Sequence, residues 1–275
     1  MTAILTPAEV KSFQNKILDF AKKNYREFSW RNTIDPYEIL VSEVMLQQTQ
    51  TERVVPKYAE WLASFPTVQA LAQASLTEVL THWSGLGYNR RARFLQKAAQ
   101  MVVEKYNGVF PKDAERIDEL PGVGEYTAKA VACFAFGAPE VFIETNIRTV
   151  FIHEFFQTDG TVDDKEIIPL IAQTVYKKDV RLWYYALMDY GARIKKEITN
   201  PNRQSKSYAR QSKFSGSLRQ ARGAILRQLT KNSSQTLEQI SAAENIEMER
   251  LQKAAEKLAD EGLVVKSRRR YSIKN

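Results

Sequence analysis

The chain is 275 residues long and 44% hydrophobic, enough to bury a sizeable core and too long for one small domain. Lysine and arginine exceed aspartate and glutamate by 40 to 32, a net charge of +8 that is compatible with a polyanionic partner. Cys133 is the only cysteine and His82 and His153 the only histidines, which excludes an intrachain disulfide and a thiolate-built metal centre and argues against zinc.

The first expected helix, Ala8 to Tyr25, sets Val10, Phe13, Ile17 and Phe20 at helical spacing, a stripe for packing against a core. The same stretch lacks the uninterrupted apolar run of a secretory signal. Pro36 opens a second helix, expected over Tyr37 to Thr51, and Pro56 stands near the start of a third. Helical spacing recurs in Leu76 to Trp83, Arg91 to Tyr106, Tyr126 to Phe136, Asn146 to Phe156, Ile167 to Val175 and Arg181 to Ile194. Short breaks fall at Gly85-Leu86-Gly87, Gly108, Pro121-Gly122-Val123-Gly124 and Gly137-Ala138-Pro139. Residues 1–198 are therefore expected to form an all-α domain. No run is long and apolar enough to span a bilayer, and a soluble intracellular protein is expected.

From Thr199 to Ser217 the composition shifts to Asn, Ser, Gln, Lys and Arg, expected as a basic linker over 199–217. Apolar spacing then resumes with Ala224, Ile225, Leu226 and Leu229, with Leu237, Ile240 and Ala243, and with Met248, Leu251, Ala255 and Leu258, before Gly262. Leu263-Val264-Val265 and Tyr271-Ser272-Ile273 flank the basic run Lys266-Ser267-Arg268-Arg269-Arg270. Three helices and a basic hairpin point to a winged helix-turn-helix over 218–275, with Arg268, Arg269 and Arg270 as its DNA contacts.

Four constellations offer chemistry. Leu120-Pro121-Gly122-Val123-Gly124, between two helical patterns, is either a backbone grip for a DNA phosphate at a helix start or an ordinary turn. Gly85-Leu86-Gly87-Tyr88, followed by Arg90, Arg91 and Arg93, suits an aromatic wedge in a base stack with cations on phosphates, or equally a packed tyrosine at a helix start. Glu43 lies among Ile39, Leu40 and Leu46, where a carboxyl is disfavoured in its charged form and suits a general acid, or merely edges a core. Glu144, in Ile143-Glu144-Thr145-Asn146, is a second acid at a helix start, where Glu144 or Thr145 would serve equally as a cap.

In chain order, Ser42-Glu43-Val44-Met45-Leu46-Gln47-Gln48-Thr49-Gln50, then Trp83-Ser84-Gly85-Leu86-Gly87-Tyr88, then the Leu-Pro-Gly-Val-Gly hairpin closely resemble the MutY family of adenine DNA glycosylases. The resemblance runs from Trp30-Arg31 to Gly191-Ala192, and the hairpin is shared with the wider helix-hairpin-helix superfamily that includes endonuclease III. It implies the helix-hairpin-helix glycosylase fold and several roles. Glu43 matches the acid that protonates the adenine ring so that it can leave, and Asn146 the asparagine after the catalytic carboxylate, here Glu144. Gln48 and Tyr88 match residues entering the DNA stack beside the flipped base, with Thr49, Gly85, Gly87 and Arg91 as neighbouring contacts. Trp30, Arg31 and Leu46 fall where the family lines its base pocket. Leu120, Gly122, Val123 and Gly124 match the phosphate-binding hairpin, whose carbonyls at Leu120 and Val123 would hold a sodium or potassium ion. Tyr126 stands where superfamily lyases carry a catalytic lysine, which implies a monofunctional glycosylase without strong strand cutting.

The chain departs from the family in three places. Glu144-Thr145-Asn146 replaces an Asp-Gly-Asn setting, and one added methylene displaces a carboxylate by about an ångström, a shift that can cost on the order of a hundredfold in rate. Most members carry four cysteines that hold an iron–sulfur cluster, whereas Lys195, Asn202, Ser205 and Gln211 stand near those places, so no cluster is expected. The family's C-terminal domain, which inspects the oxidised guanine, is replaced by the expected winged helix. The resemblance therefore implies a monomeric, cytoplasmic and nucleoid-associated enzyme acting on double-stranded DNA, with adenine opposite 8-oxoguanine or guanine as its target. A glycosylase for mismatched thymine or another damaged base, such as an oxidised pyrimidine, and a catalytically weak protein that binds DNA damage or mismatches are the alternatives.

Overall fold

The structure, a computed structural model, describes residues 4–156, 160–209 and 213–275. Gln211, expected near a cluster position, lies outside the described residues. Helix α1 (Pro7–Asn24) begins where Thr6 and Glu9 close a capping box, and Pro sits at its first position, where no amide donor is needed. Then come α2 (Pro36–Leu46), α3 (Thr51–Ser64), α4 (Val68–Gln73), α5 (Leu76–Trp83) and α6 (Arg90–Tyr106). Helices α7 (Ala114–Asp118) and α8 (Glu125–Phe136) flank the glycine hairpin, followed by α9 (Thr145–Phe155), α10 (Asp164–Thr174) and α11 (Val180–Glu197). The C-terminal part runs α12 (Leu218–Lys231), β1 (Gln235–Thr236), α13 (Leu237–Glu244), α14 (Met248–Asp260), β2 (Val264–Ser267) and β3 (Arg270–Ile273).

The chain divides into two compact units, each drawing on three segments. The first comprises Met1–Ile39, Lys112–Ile117 and Gly124–Arg210, the second Leu40–Pro111, Asp118–Val123 and Gln211–Asn275. In the first, α11 packs on α1, α8 and α9. Phe13 meets Phe151 and Trp183 edge-on at 5.5 and 5.8 Å, and Phe134 stacks on Tyr185 at 4.3 Å. Burying each such ring removes about 150–250 Å² from water, worth about 4–6 kcal/mol per ring.

Residues 199–209, expected as a linker, are folded. Asn200 accepts from the Asn202 amide, Pro201–Gln204 makes a 3-10 turn, and Val162 bridges Ser205 in parallel. Val162 N donates to Gln204 O at 2.8 Å and Lys206 N to Val162 O at 3.0 Å, while Asn202 and Ser205 are buried. Polar composition concealed this structure because it is held by backbone bonds, two of them with Val162, rather than by an apolar stripe.

In the second unit α4 and α5 pack on α6, α3 packs on α5, and Trp61 meets Trp83 edge-on at 5.5 Å. Helix α12 packs on α5 and on α14. The sheet order is β1-β3-β2, antiparallel, with Ser267 opposite Arg270 across the Arg268-Arg269 turn. Three helices, a short first strand and a two-stranded wing make this a winged-helix arrangement on an otherwise helical protein. The two-residue β1 is too short to show alternation and was not anticipated. The helix expected over Tyr37 to Thr51 stops instead at Leu46, and Gln48 takes a left-handed φ of 54° before α3 begins.

Candidate active site

In the first unit Glu144 is the N-cap of α9. Its Oε1 accepts from Asn146 N and Ile147 N, each at 2.7 Å, and its Oε2 accepts from Asn146 Nδ2 at 3.0 Å. The cap and the asparagine are thus one device. Burial lifts the Glu144 carboxyl above the ordinary carboxylate range, against the opposing pull of the Asn146 and Ile147 backbone donors and of the charges on Lys195 and Arg148. Lys195, on α11, is pushed below its ordinary value by burial. Gly191 admits this arrangement: a Cβ there would fall 2.2 Å from Asn146 O. Tyr126, on α8, meets Phe142 edge-on at 5.8 Å.

Trp30 and Arg31 lie in the same unit. Trp30 is buried and stacks on Phe28 at 4.7 Å. Arg31 forms a two-pronged pair with Asp189, Nη1 to Oδ2 at 2.8 Å and Nη2 to Oδ1 at 2.9 Å, and donates to Arg26 O at 2.9 Å. Arg26 adds its own bonds to Asp189, from N at 3.0 Å and Nε at 2.6 Å. Asp189 and Arg26 were not anticipated. The available signal was an acid inside the apolar run Trp183 to Gly191, the same signal that marks Glu43.

The second unit holds Glu43, 6% exposed on α2 among buried Leu40, Val41, Val44 and Met45. Leu46 ends the helix partly exposed, Gln48 is exposed and Thr49 half-buried. Tyr88 takes a left-handed φ of 47°, and Gly85 and Gly87 beside it take 95° and 71°. Gln48 and Tyr88, the two residues matched to DNA insertion, are thus both non-glycine residues in a conformation costing on the order of 1–3 kcal/mol.

Arg91 joins these two loops, and the expectation that it contacts phosphate needs correction. Its Nη1 donates to Val44 O at 2.6 Å, Met45 O at 3.1 Å and Gln47 O at 2.7 Å. Its Nη2 donates to Thr49 Oγ1 at 3.1 Å, Leu86 O at 3.2 Å and Gly87 O at 3.1 Å. The guanidinium is turned inward, closes the carbonyl end of α2 and ends that helix early. Burial lowers its pKa to about 10, which leaves it charged at neutral pH.

In the hairpin, Val123 N donates to Leu120 O at 3.0 Å, and Gly122 has φ 76°. A Cβ on Gly122 would lie 2.4 Å from Phe94 Cβ, so packing and backbone conformation both require glycine. Gly124 begins α8 with no capping side chain, which suits an anion at the helix start. In the wing, Arg268 and Arg269 are exposed at the turn, whereas Arg270 is tied to Ser234, Nε to Oγ at 3.0 Å and Nη2 to O at 2.5 Å.

The donor set at Asn202 and Ser205 does not fit an iron–sulfur cluster. Neither supplies a thiolate, and both are buried, Ser205 in the bridge to Val162. Among the described residues no group of three or more His, Cys, Asp and Glu side chains is placed to hold a metal ion, and no helix is long and apolar enough to cross a membrane.

A family model for the HhH-GPD superfamily of base excision DNA repair proteins matches residues 41–177. The chain is also similar to adenine DNA glycosylases. It is 36% identical over 182 residues to that of Mycobacterium tuberculosis, covering 65% of this chain and 60% of the relative. It is 42% identical over 152 residues to that of Homo sapiens, covering 52% and 28%. The chain thus spans less than two thirds of the length of these relatives. Among solved structures, a thermostable thymine-DNA glycosylase matches at 29% identity with a TM-score of 0.62, covering 70% of this chain and 90% of that one.

Proposed function

We propose that this chain is a DNA N-glycosylase of base excision repair that flips a mispaired adenine, opposite 8-oxoguanine or guanine, and hydrolyses its N-glycosidic bond. The observation that carries this reading is Glu144, whose carboxylate is fixed at a helix start by two backbone donors and the Asn146 amide. Held there, a carboxylate suits the cationic sugar that develops as the base departs. Those three bonds also answer the family difference: the longer side chain is anchored, which favours adjustment over decay.

The roles follow from the chemistry. Extrusion of the base from the duplex costs about a few kcal/mol, and Gln48 and Tyr88 entering the stack offset part of it. Glu43 delivers a proton to the leaving base as the bond to C1′ breaks. The electron pair of that bond leaves with the base, which departs neutral, and the oxocarbenium-like sugar faces Glu144. Water adds to C1′ and its proton passes to the Glu43 carboxylate, which restores the acid and leaves an abasic site. Tyr126 offers no amine for a Schiff base, so the product strand stays uncut. Trp30, Arg31 and Leu46 line the base pocket in this reading, with Asp189 fixing Arg31.

Double-stranded DNA is the partner of the reading, and the enzyme acts as a monomer in the cytoplasm, at the nucleoid. The hairpin grips a phosphate, and its neutral carbonyl oxygens at Leu120 and Val123 suit a hard monovalent cation there. Residues 1–198 and 218–275 form the glycosylase and winged-helix modules, and Arg268 and Arg269 reach phosphates. Glu144→Gln keeps the cap while removing the charge. It should abolish base release in single-turnover assays developed with alkali, with duplex affinity retained, and undiminished release would overturn the assignment. Removal of mispaired thymine is a second reading, favoured by the likeness to a thymine-DNA glycosylase. Release from a thymine–guanine duplex but not from adenine duplexes would select it.

A further inference from the structure

A winged helix ordinarily reads DNA with its third helix in the major groove. Here that helix, α14, exposes Glu249, Glu256 and Asp260 beside Gln252, Lys253 and Lys257, with exposed Glu247 just ahead of it. Its cations are partly committed: Lys253 Nζ pairs with Glu249 Oε1 at 2.6 Å, and Arg250 Nη2 with Glu247 Oε2 at 3.1 Å. Over α14 itself the three acidic and three basic side chains cancel, so the helix offers phosphates little net attraction and the domain needs another way to act on the reaction.

Helix α12 supplies one. Arg222 is held by Glu261 at 2.8 and 2.5 Å, and Arg227 by Glu244 at 2.5 Å. Arg219, in the first turn, does something different: its Nη1 donates to Tyr88 Oη at 3.3 Å and its guanidinium lies 5.5 Å from the Tyr88 ring centroid. Arg91 lies 5.6 Å from the same ring, and Phe214 lies 6.0 Å from Arg219. The domain is seated firmly enough to use this contact. Arg93 donates to the Glu261 carbonyl, and Asn275 Oδ1 accepts from Thr77 N and Oγ1, each at 3.0 Å. Gly262, with φ 67°, lets the chain turn beside Arg93.

We propose that Arg219 of the winged-helix domain is a positioning residue for Tyr88, fixing the ring that enters the base stack, and that the domain contributes to the reaction through this brace rather than through its third helix. The proposal rests on the function assigned above. A cation over an aromatic ring, joined to its hydroxyl by a hydrogen bond, restrains both the tilt and the rotation of that ring. Misplacing a positioned group by about an ångström can cost on the order of a hundredfold in rate.

The test pairs Arg219→Ala with Arg219→Lys, Tyr88→Ala and the double variant, with Lys253→Ala on α14 as the reference change. Under single turnover on adenine–8-oxoguanine duplexes, Arg219→Ala should slow release about tenfold or more, Lys should restore part of it, and Lys253→Ala should leave it unchanged. In the Tyr88→Ala background Arg219→Ala should add less than about twofold, because the two act as one unit. Full additivity, or no effect of Arg219→Ala, overturns the brace. Hydrogen exchange on the free protein separates the brace from the activity: Arg219→Ala should speed exchange at residues 85–91 with the melting temperature maintained. Unchanged exchange there overturns the proposal, whereas faster exchange in a protein that releases no base retains the brace and overturns only the assigned reaction.

Discussion

At the scale of single residues, the account turns on how Glu144 ionises. Its native carboxyl sits above the ordinary range because burial outweighs the donors around it. The native state therefore binds this proton more tightly than the unfolded chain. Keeping the group ionised costs stability at pH above its folded pKa, and the cost disappears as pH falls below the ordinary 4.5. Catalysis runs the other way, since only the carboxylate stabilises a sugar cation. Base release should rise with pH through an acid limb centred above 4.5. Lys195 is a cation acting on this carboxylate, so Lys195→Met should move the limb to higher pH, read from single-turnover rates between pH 4.5 and 8. A limb that stays in place would show that Lys195 does not act on the ionisation that limits the rate.

At the scale of elements, the helices were legible wherever one stripe met one core. In α1, Phe13 and Ile17 are buried, and in α14 Leu251, Ala255 and Leu258 are buried, as the spacing of apolar residues requires. The end of α2 was not legible, because its terminator is Arg91, distant in sequence and turned onto the carbonyls of Val44, Met45 and Gln47. The fold of 199–209 was hidden for a similar reason, its partner being the backbone of Val162. Of the candidate site, Glu43, Glu144 and the glycine hairpin stood out as chemistry-bearing types in a recognisable order. Asp189 and Arg219 did not, since each takes its meaning from a partner far along the chain. The same hub gives an element-scale prediction. Arg91→Ala removes the guanidinium donors that tie the loop at Gln48 to the loop at Tyr88, so base release should fall about a hundredfold or more. Stability should drop by about 2–4 kcal/mol, because buried carbonyls lose their partners. Chemical denaturation and single-turnover rates measure the two effects separately, and an unchanged rate would contradict the positioning role.

At the scale of the whole molecule, the chain combines a helix-hairpin-helix fold with a folded segment at Asn202 and Ser205 and a winged helix after it. In the proposed reading, the parts that the chemistry needs are a glycine turn free to approach a phosphate, an acid buried on α2, and a carboxylate clamped at the start of α9. The net charge of +8 suits a DNA partner, and α14, whose acidic and basic side chains balance, contributes nothing to it. The most direct test of the account is single-turnover incubation of the full chain with duplexes carrying adenine opposite 8-oxoguanine, followed by alkali. The account predicts strand breaks at the adenine after alkali and an intact strand without it. An adenine strand that stays intact after alkali, although the protein binds the duplex, would contradict it.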